Sequence, residues 1–146
     1  MLEIFSDAGL FEKHCFAATL ILENYNRCQA LFAKHYENLP TSTNGELLAV
    51  INGLEWVCQN RPEEREIELN IDNLSIATRI AEYPKNVSVP SGPMSHLWVH
   101  IFVLLDRFDN VTVYHIPAHQ ETHNPNKACD VLCAALLRPY KKGLMS

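Results

Sequence analysis

The chain has 146 residues, 47% hydrophobic and 20% charged, with a formal net charge of −5. That balance suits one globular domain, residues 1–146, large enough to bury a core without staples. It excludes a protein that coats nucleic acid through overall positive charge, so any such role must come from a local site.

In chain order, "LEIFSD" (2–7) predicts a short strand ending in Asp7, and "CFAATLIL" (15–22) a second apolar strand. The turn-forming "ENYNR" leads to a third strand, "CQALFAKHY" (28–36). After the loop "NLPTSTN" the period changes. Leu47, Leu48, Val50, Ile51, Leu54, Val57 and Cys58 fall at helical spacing, with Thr43 or Asn44 as the expected N-cap. "IELNID" (67–72) alternates as a strand and ends in Asp72, and "NLSIATRIAEY" reads as a short helix. A proline-containing loop, "PKNVSVPSGP", precedes "MSHLWVHIFVLLDRF", a helix apolar nearly all round and therefore expected to be largely buried. "NVTVYHIP" is a fifth strand, and "NPNKACDVLCAALLRPY" a last helix expected to stop near Pro139. Three consecutive strands followed by alternating helices and strands predict an α/β fold. Its five-stranded mixed sheet would be antiparallel first and parallel later, with helices on both faces.

The five cysteines, an odd number, suggest free thiols and a reducing, cytoplasmic compartment. "MLEIFSDAG" is too short and polar for a secretory leader, and the apolar run 97–105 is interrupted by His100, so no membrane partner is expected.

The acids fall at telling places. Asp7 and Asp72 end strands, Glu46 opens a helix, and Asp130 lies one turn into the last helix. Carboxylates are costly inside a fold unless paired or bound to metal. Parallel pairing of the first and fourth strands would bring Asp7 and Asp72 to one carboxyl edge, where ligands of open α/β sheets collect. Glu46 and Asp130 can join them there. An oxygen-only set of this kind suits magnesium or manganese. Each acid also has an ordinary explanation: a turn residue, a helix-dipole partner, an N-cap and a helix-start acid.

These segments together resemble type 1 ribonuclease H over nearly the whole chain. "EIFSDAG" carries the first acid, Asp7; "TSTNGELLAVINGLE" carries Glu46; "IELNIDN" carries Asp72 and Asn73; "HIPAHQETHNPNKACDVLCAAL" carries His119 and Asp130. The resemblance implies the ribonuclease H-like sheet and cleavage of the RNA strand of RNA–DNA hybrids, leaving a 5′-phosphate and a 3′-hydroxyl. It implies two Mg²⁺ ions, with Mn²⁺ as the alternative, about 4 Å apart on Asp7, Glu46, Asp72 and Asp130, each of these acids being catalytic. His119 would relay a proton or help release product. Gly9, Ser42, Thr43, Asn44, Gly45 and Asn73 would contact the hybrid. Helix capping is an equal alternative for the Ser-Thr-Asn group.

The chain departs from the family pattern in several places. The loop between His119 and Asp130 is one residue longer than expected, and only Gly9 remains of a glycine-rich stretch after the first acid. The basic, tryptophan-rich protrusion of some members is absent; "EYPKNVSVPSGPM" stands there with a single lysine. The working expectation is a monomer that gains substrate affinity from a partner protein or additional domain. Rival readings are a nuclease of the same fold acting on another nucleic acid, and a non-catalytic domain binding nucleic acid or a protein. The set His119, His123, Cys129 and Cys133 has a spacing tolerable for zinc. Zinc is disfavoured there, because Cys129 and Cys133 lie i, i+4 among leucines, where buried cysteine is common.

Overall fold

The computed structural model describes residues 1–86, 88–116 and 125–146. Its elements are β1 (Leu2–Phe11), β2 (His14–Glu23), β3 (Arg27–Glu37), α1 (Ser42–Asn60), β4 (Glu66–Ile71), α2 (Leu74–Glu82), α3 (Ser95–Leu105), β5 (Asn110–His115) and α4 (Asn126–Lys141). The five strands form one sheet in the order β3-β2-β1-β4-β5. β1, β2 and β3 pair antiparallel, while β1–β4 and β4–β5 pair parallel. This is the expected five-stranded mixed sheet, antiparallel first and parallel later, with helices on both faces.

Strand β1 runs four residues beyond Asp7. Ala8 and Gly9 are weak strand formers, but Ala8 to Phe11 pair with Ala17 to His14 of β2 across a tight turn in which Glu12 has φ 52°. Tertiary pairing overrides propensity there. β2 is buried on both faces, which explains its unbroken apolar run.

One core fills the face under α1, α2 and α3, with Ile4, Ile21, Leu47, Leu54, Leu69 and Ile101 fully enclosed. Each such side chain contributes about 1.5–3 kcal/mol by leaving water. Close approach of α1 to the sheet depends on Gly53, where a Cβ would stand 2.7 Å from Ile4 Cγ2. Beside it, Thr19 Oγ1 donates to the Ala49 carbonyl at 2.8 Å. The second core lies under α4 and contains Phe5, Phe16, Ala18, Leu20, Cys129, Cys133 and Leu137.

Three local expectations are corrected. The N-cap of α1 is Thr41, not Thr43 or Asn44; its side chain makes no capping bond and instead donates to Asn44 Oδ1 at 2.9 Å. α3 is not buried all round: Val99, Val103, His96 and His100 face solvent, because α3 packs on α1 along one side only. α4 continues through Pro139 to Lys141. A proline one turn from a helix end forfeits a single ladder bond, and its carbonyl then accepts from Leu144 N at 2.8 Å. Among the described residues, no helix is long and apolar enough to cross a membrane.

Candidate active site

The parallel register of β1 and β4 ends with Ser6 opposite Ile71. The next residues, Asp7 and Asp72, therefore stand side by side at the carboxyl end of the two central strands. Glu46 comes from the first turns of α1, which packs on β1 and β2. Asp130 comes from α4, on the other face of the sheet. Helix α4 is held against β1 and β2 by two cysteines near that acid: Cys129 Sγ donates to the Phe5 carbonyl of β1 and Cys133 Sγ to the Phe16 carbonyl of β2 at 3.3 Å. Gly9 permits the contact, since a Cβ there would meet Cys133 Cβ at 2.9 Å.

The charges of the other three acids all act on Asp7. Burial first, then the charge of Asp72, pushes the Asp7 carboxyl up to about 7, and Asp130 and Glu46 add to the shift. The Ala8 amide, donating to Asp7 Oδ1 at 2.8 Å, opposes it. Glu46 is raised by burial and by Asp72, against a hydrogen bond from Asn73 Nδ2 at 2.7 Å. Asp72 is also raised, mainly by burial, with His115 pulling the other way. Among the described residues, no lysine or arginine forms an ion pair with any of the four. Asp7, Glu46 and Asp72 are half-buried and raised, Asp130 is exposed beside them, and a set of carboxylates without a basic partner fits hard divalent cations, whose charge would relieve the repulsion. The carboxylates are splayed, however: no three of them bring oxygens within 4.8 Å of one another.

The proposed substrate-contact residues surround this edge unevenly. Asn73 serves the site through Glu46 and caps α2 by accepting from Ile76 N at 3.0 Å. Ser42 is exposed and Thr43 half-buried at the start of α1, whereas the Asn44 side chain is buried. Gly45 packs tightly, its added Cβ falling 2.5 Å from Cys15 Sγ. His119 and His123 lie outside the described residues. The thiols beside them in sequence are enclosed, and burial pushes Cys133 up to about 12 and Cys129 higher still. These two side chains pack and hold α4.

Sequence reasoning missed His115. It ends β5 opposite Ile71, and its Nε2 lies 3.0 Å from the Asp72 carbonyl oxygen. The available signal was its position at the end of the strand parallel to the one that presents Asp72.

The profile of the Reverse transcriptase-like family matches residues 12–132. The chain belongs to that family. No curated protein matches it by sequence. Among solved structures, this reverse transcriptase-like chain is similar to RNase H1 from the halophilic archaeon Halobacterium salinarum. Identity is 18%, with 92% of this chain and 96% of that one covered and a TM-score of 0.73. LC11-RNase H1, isolated from compost by a metagenomic approach, is 18% identical over 99% of this chain and 98% of that one, with a TM-score of 0.75. The same LC11 enzyme in complex with an RNA/DNA hybrid matches at 17% identity over 90% of this chain and 99% of that one, with a TM-score of 0.68. At these identities the likeness establishes the fold.

Proposed function

We propose that the chain is a metal-dependent endonuclease that hydrolyses the RNA strand of RNA–DNA hybrids, leaving 5′-phosphate and 3′-hydroxyl ends. The observation that carries this reading is the raised carboxyl of Asp7, on which the charges of Asp72, Asp130 and Glu46 all act, with no basic partner among the described residues. Asp7, central in the set, would be shared between two magnesium ions, with Glu46 and Asp72 completing one site and Asp130 the other; manganese is the alternative. A pair of divalent cations held there would supply charge stabilisation to the attacking and leaving oxygens of an in-line phosphoryl displacement. The protein's own groups prepare the site. Asn73 aims Glu46 while capping α2. The Ala8 amide orients Asp7. The cysteine-anchored α4 presents Asp130. His119 would relay a proton near the leaving group, a task suited to imidazole. Gly9, Ser42, Thr43, Asn44, Gly45 and Asn73 would read the 2′-hydroxyls that separate RNA from DNA.

The segment between α2 and α3 carries little positive charge, with Lys85 its one lysine. We therefore assign part of the hybrid affinity to a partner protein or additional domain; a monomer working in the cytoplasm completes the proposal. The test is incubation with labelled RNA–DNA hybrid, double-stranded RNA and double-stranded DNA, in Mg²⁺, Mn²⁺ or chelator, with Asp72→Asn as control. Metal-dependent cutting confined to the RNA strand of the hybrid, and lost in the variant, is the expected result. Cutting of another substrate would reassign the specificity, and no cutting under any metal would overturn the assignment.

A further inference from the structure

We propose that His14, His35 and Glu37 form a zinc-binding site at the open end of the β2–β3 hairpin, separate from the acid quartet. Among the described residues, this is the group in which three metal-ligating atoms all lie within 4.8 Å of one another. Its geometry follows from strand register. His14 is directly opposite Glu37, and Phe16 is opposite His35, so both imidazoles and the carboxylate share one face of the hairpin.

His14 Nδ1 and His35 Nε2 are 3.0 Å apart, and His14 Nδ1 is 3.9 Å from Glu37 Oε1. Tetrahedral zinc with imidazole and carboxylate ligands keeps neighbouring donor atoms about 3.4 Å apart. Small ring rotations and a short inward swing of the exposed Glu37 side chain would reach that arrangement. Two imidazoles and one carboxylate are the donor set that zinc takes with a water in the fourth position. This set includes nitrogen, unlike the oxygen-only quartet that suits magnesium.

The surroundings fix the two rings in advance. The His14 ring is buried with its centroid 3.9 Å from that of Tyr140, and His35 stacks on Phe16 at 4.7 Å. At 3.0 Å the facing nitrogens accommodate one proton between them, as donor and acceptor. Zinc would take the place of that proton. The site lies roughly 13 Å from Asp7 along the sheet, because Asp7 pairs with Ala18, four residues beyond His14. It stands at the root of the loop leading to α1, where Asn38 N donates to the Lys13 carbonyl at 2.7 Å. Zinc would tie the end of β3, from which that loop departs, to the start of β2.

Metal-free protein should be titrated with zinc by calorimetry in excess magnesium, added to fill the proposed carboxylate site, and with cobalt as a spectroscopic probe. The expected result is one zinc per chain and a cobalt spectrum of four-coordinate nitrogen and oxygen ligation. His35→Phe, which keeps the stack on Phe16, and Glu37→Gln should each weaken zinc at least about tenfold. Both residues are exposed, so the variants should retain the wild-type circular dichroism spectrum. Zinc should raise the melting temperature of the wild type more than that of either variant. Absence of zinc binding below millimolar concentration, equal zinc affinity in His35→Phe, or a thiolate charge-transfer band with cobalt would each overturn the assignment.

Discussion

The Asn73 amide donates to Glu46 Oε2 at 2.7 Å, so the residue that starts α2 also holds the acid that α1 presents. Its carbonyl oxygen simultaneously accepts from Ile76 N. The two roles separate by substitution. Asn73→Asp keeps an acceptor for the cap but sets a carboxylate against Glu46. Stability in urea should stay within about 1 kcal/mol, while metal-dependent cleavage should fall about 10–100-fold. Asn73→Ala should lose both the cap, about 1 kcal/mol, and the activity.

The raised carboxyl of Asp7 links stability to pH. Its folded value of about 7 lies above the ordinary 3.8, so the native state binds the extra proton. The stabilisation is full below pH about 4 and is lost as pH rises through about 7. Metal-free Asp7→Asn should match the wild type in acid and exceed it by about 2 kcal/mol at pH 8, a figure discounted for partial solvent exposure. The variant should have no nuclease activity. Urea denaturation across this pH range in chelator checks the first expectation, and the hybrid assay checks the second.

The same shift sets the pH dependence of metal binding. A divalent cation must displace the Asp7 proton, so magnesium affinity should rise with pH and level off above about 7. Calorimetric titration in buffers of different ionisation enthalpy should show proton release at pH 6 that disappears by pH 8. A magnesium affinity independent of pH would contradict the shift.

Close packing at Gly53 and Gly45 predicts intolerance of alanine. At Gly53 the added methyl meets Ile4 and Thr19 inside the core between α1 and the sheet. Gly53→Ala should cost about 1–3 kcal/mol in denaturant unfolding. Gly45→Ala meets Cys15 Sγ one residue before Glu46, so it should reduce activity as well as stability.

Thiol reactivity should follow enclosure. Cys28 is exposed, Cys58 is intermediate, and Cys15, Cys129 and Cys133 are buried. A disulfide reagent should modify Cys28 first and Cys58 more slowly, and reach the other three after denaturation. Fast native-state labelling of Cys129 or Cys133 would contradict the packing of α4.

The alternation of elements and the chain positions of the four acids were legible from residue patterning alone. Period-2 and period-3.6 patterns are local consequences of where apolar side chains must point, as in Ile67, Leu69 and Ile71 or in Leu47 to Val57. Asp7 and Asp72 stood out because an acid at the end of an apolar strand needs a reason. Whatever depends on register between distant segments came from the folded chain. It carried β1 past Asp7 by pairing it with β2, left one side of α3 in water, and let α4 run through Pro139. It made two cysteines the fastening of Asp130 and placed Asn73 on Glu46. It also set His14 opposite Glu37 and beside His35, three residues whose separation along the chain gives no sign of contact. The physical reason is that hydrophobic periodicity is written residue by residue, whereas strand pairing brings together groups more than 20 residues apart.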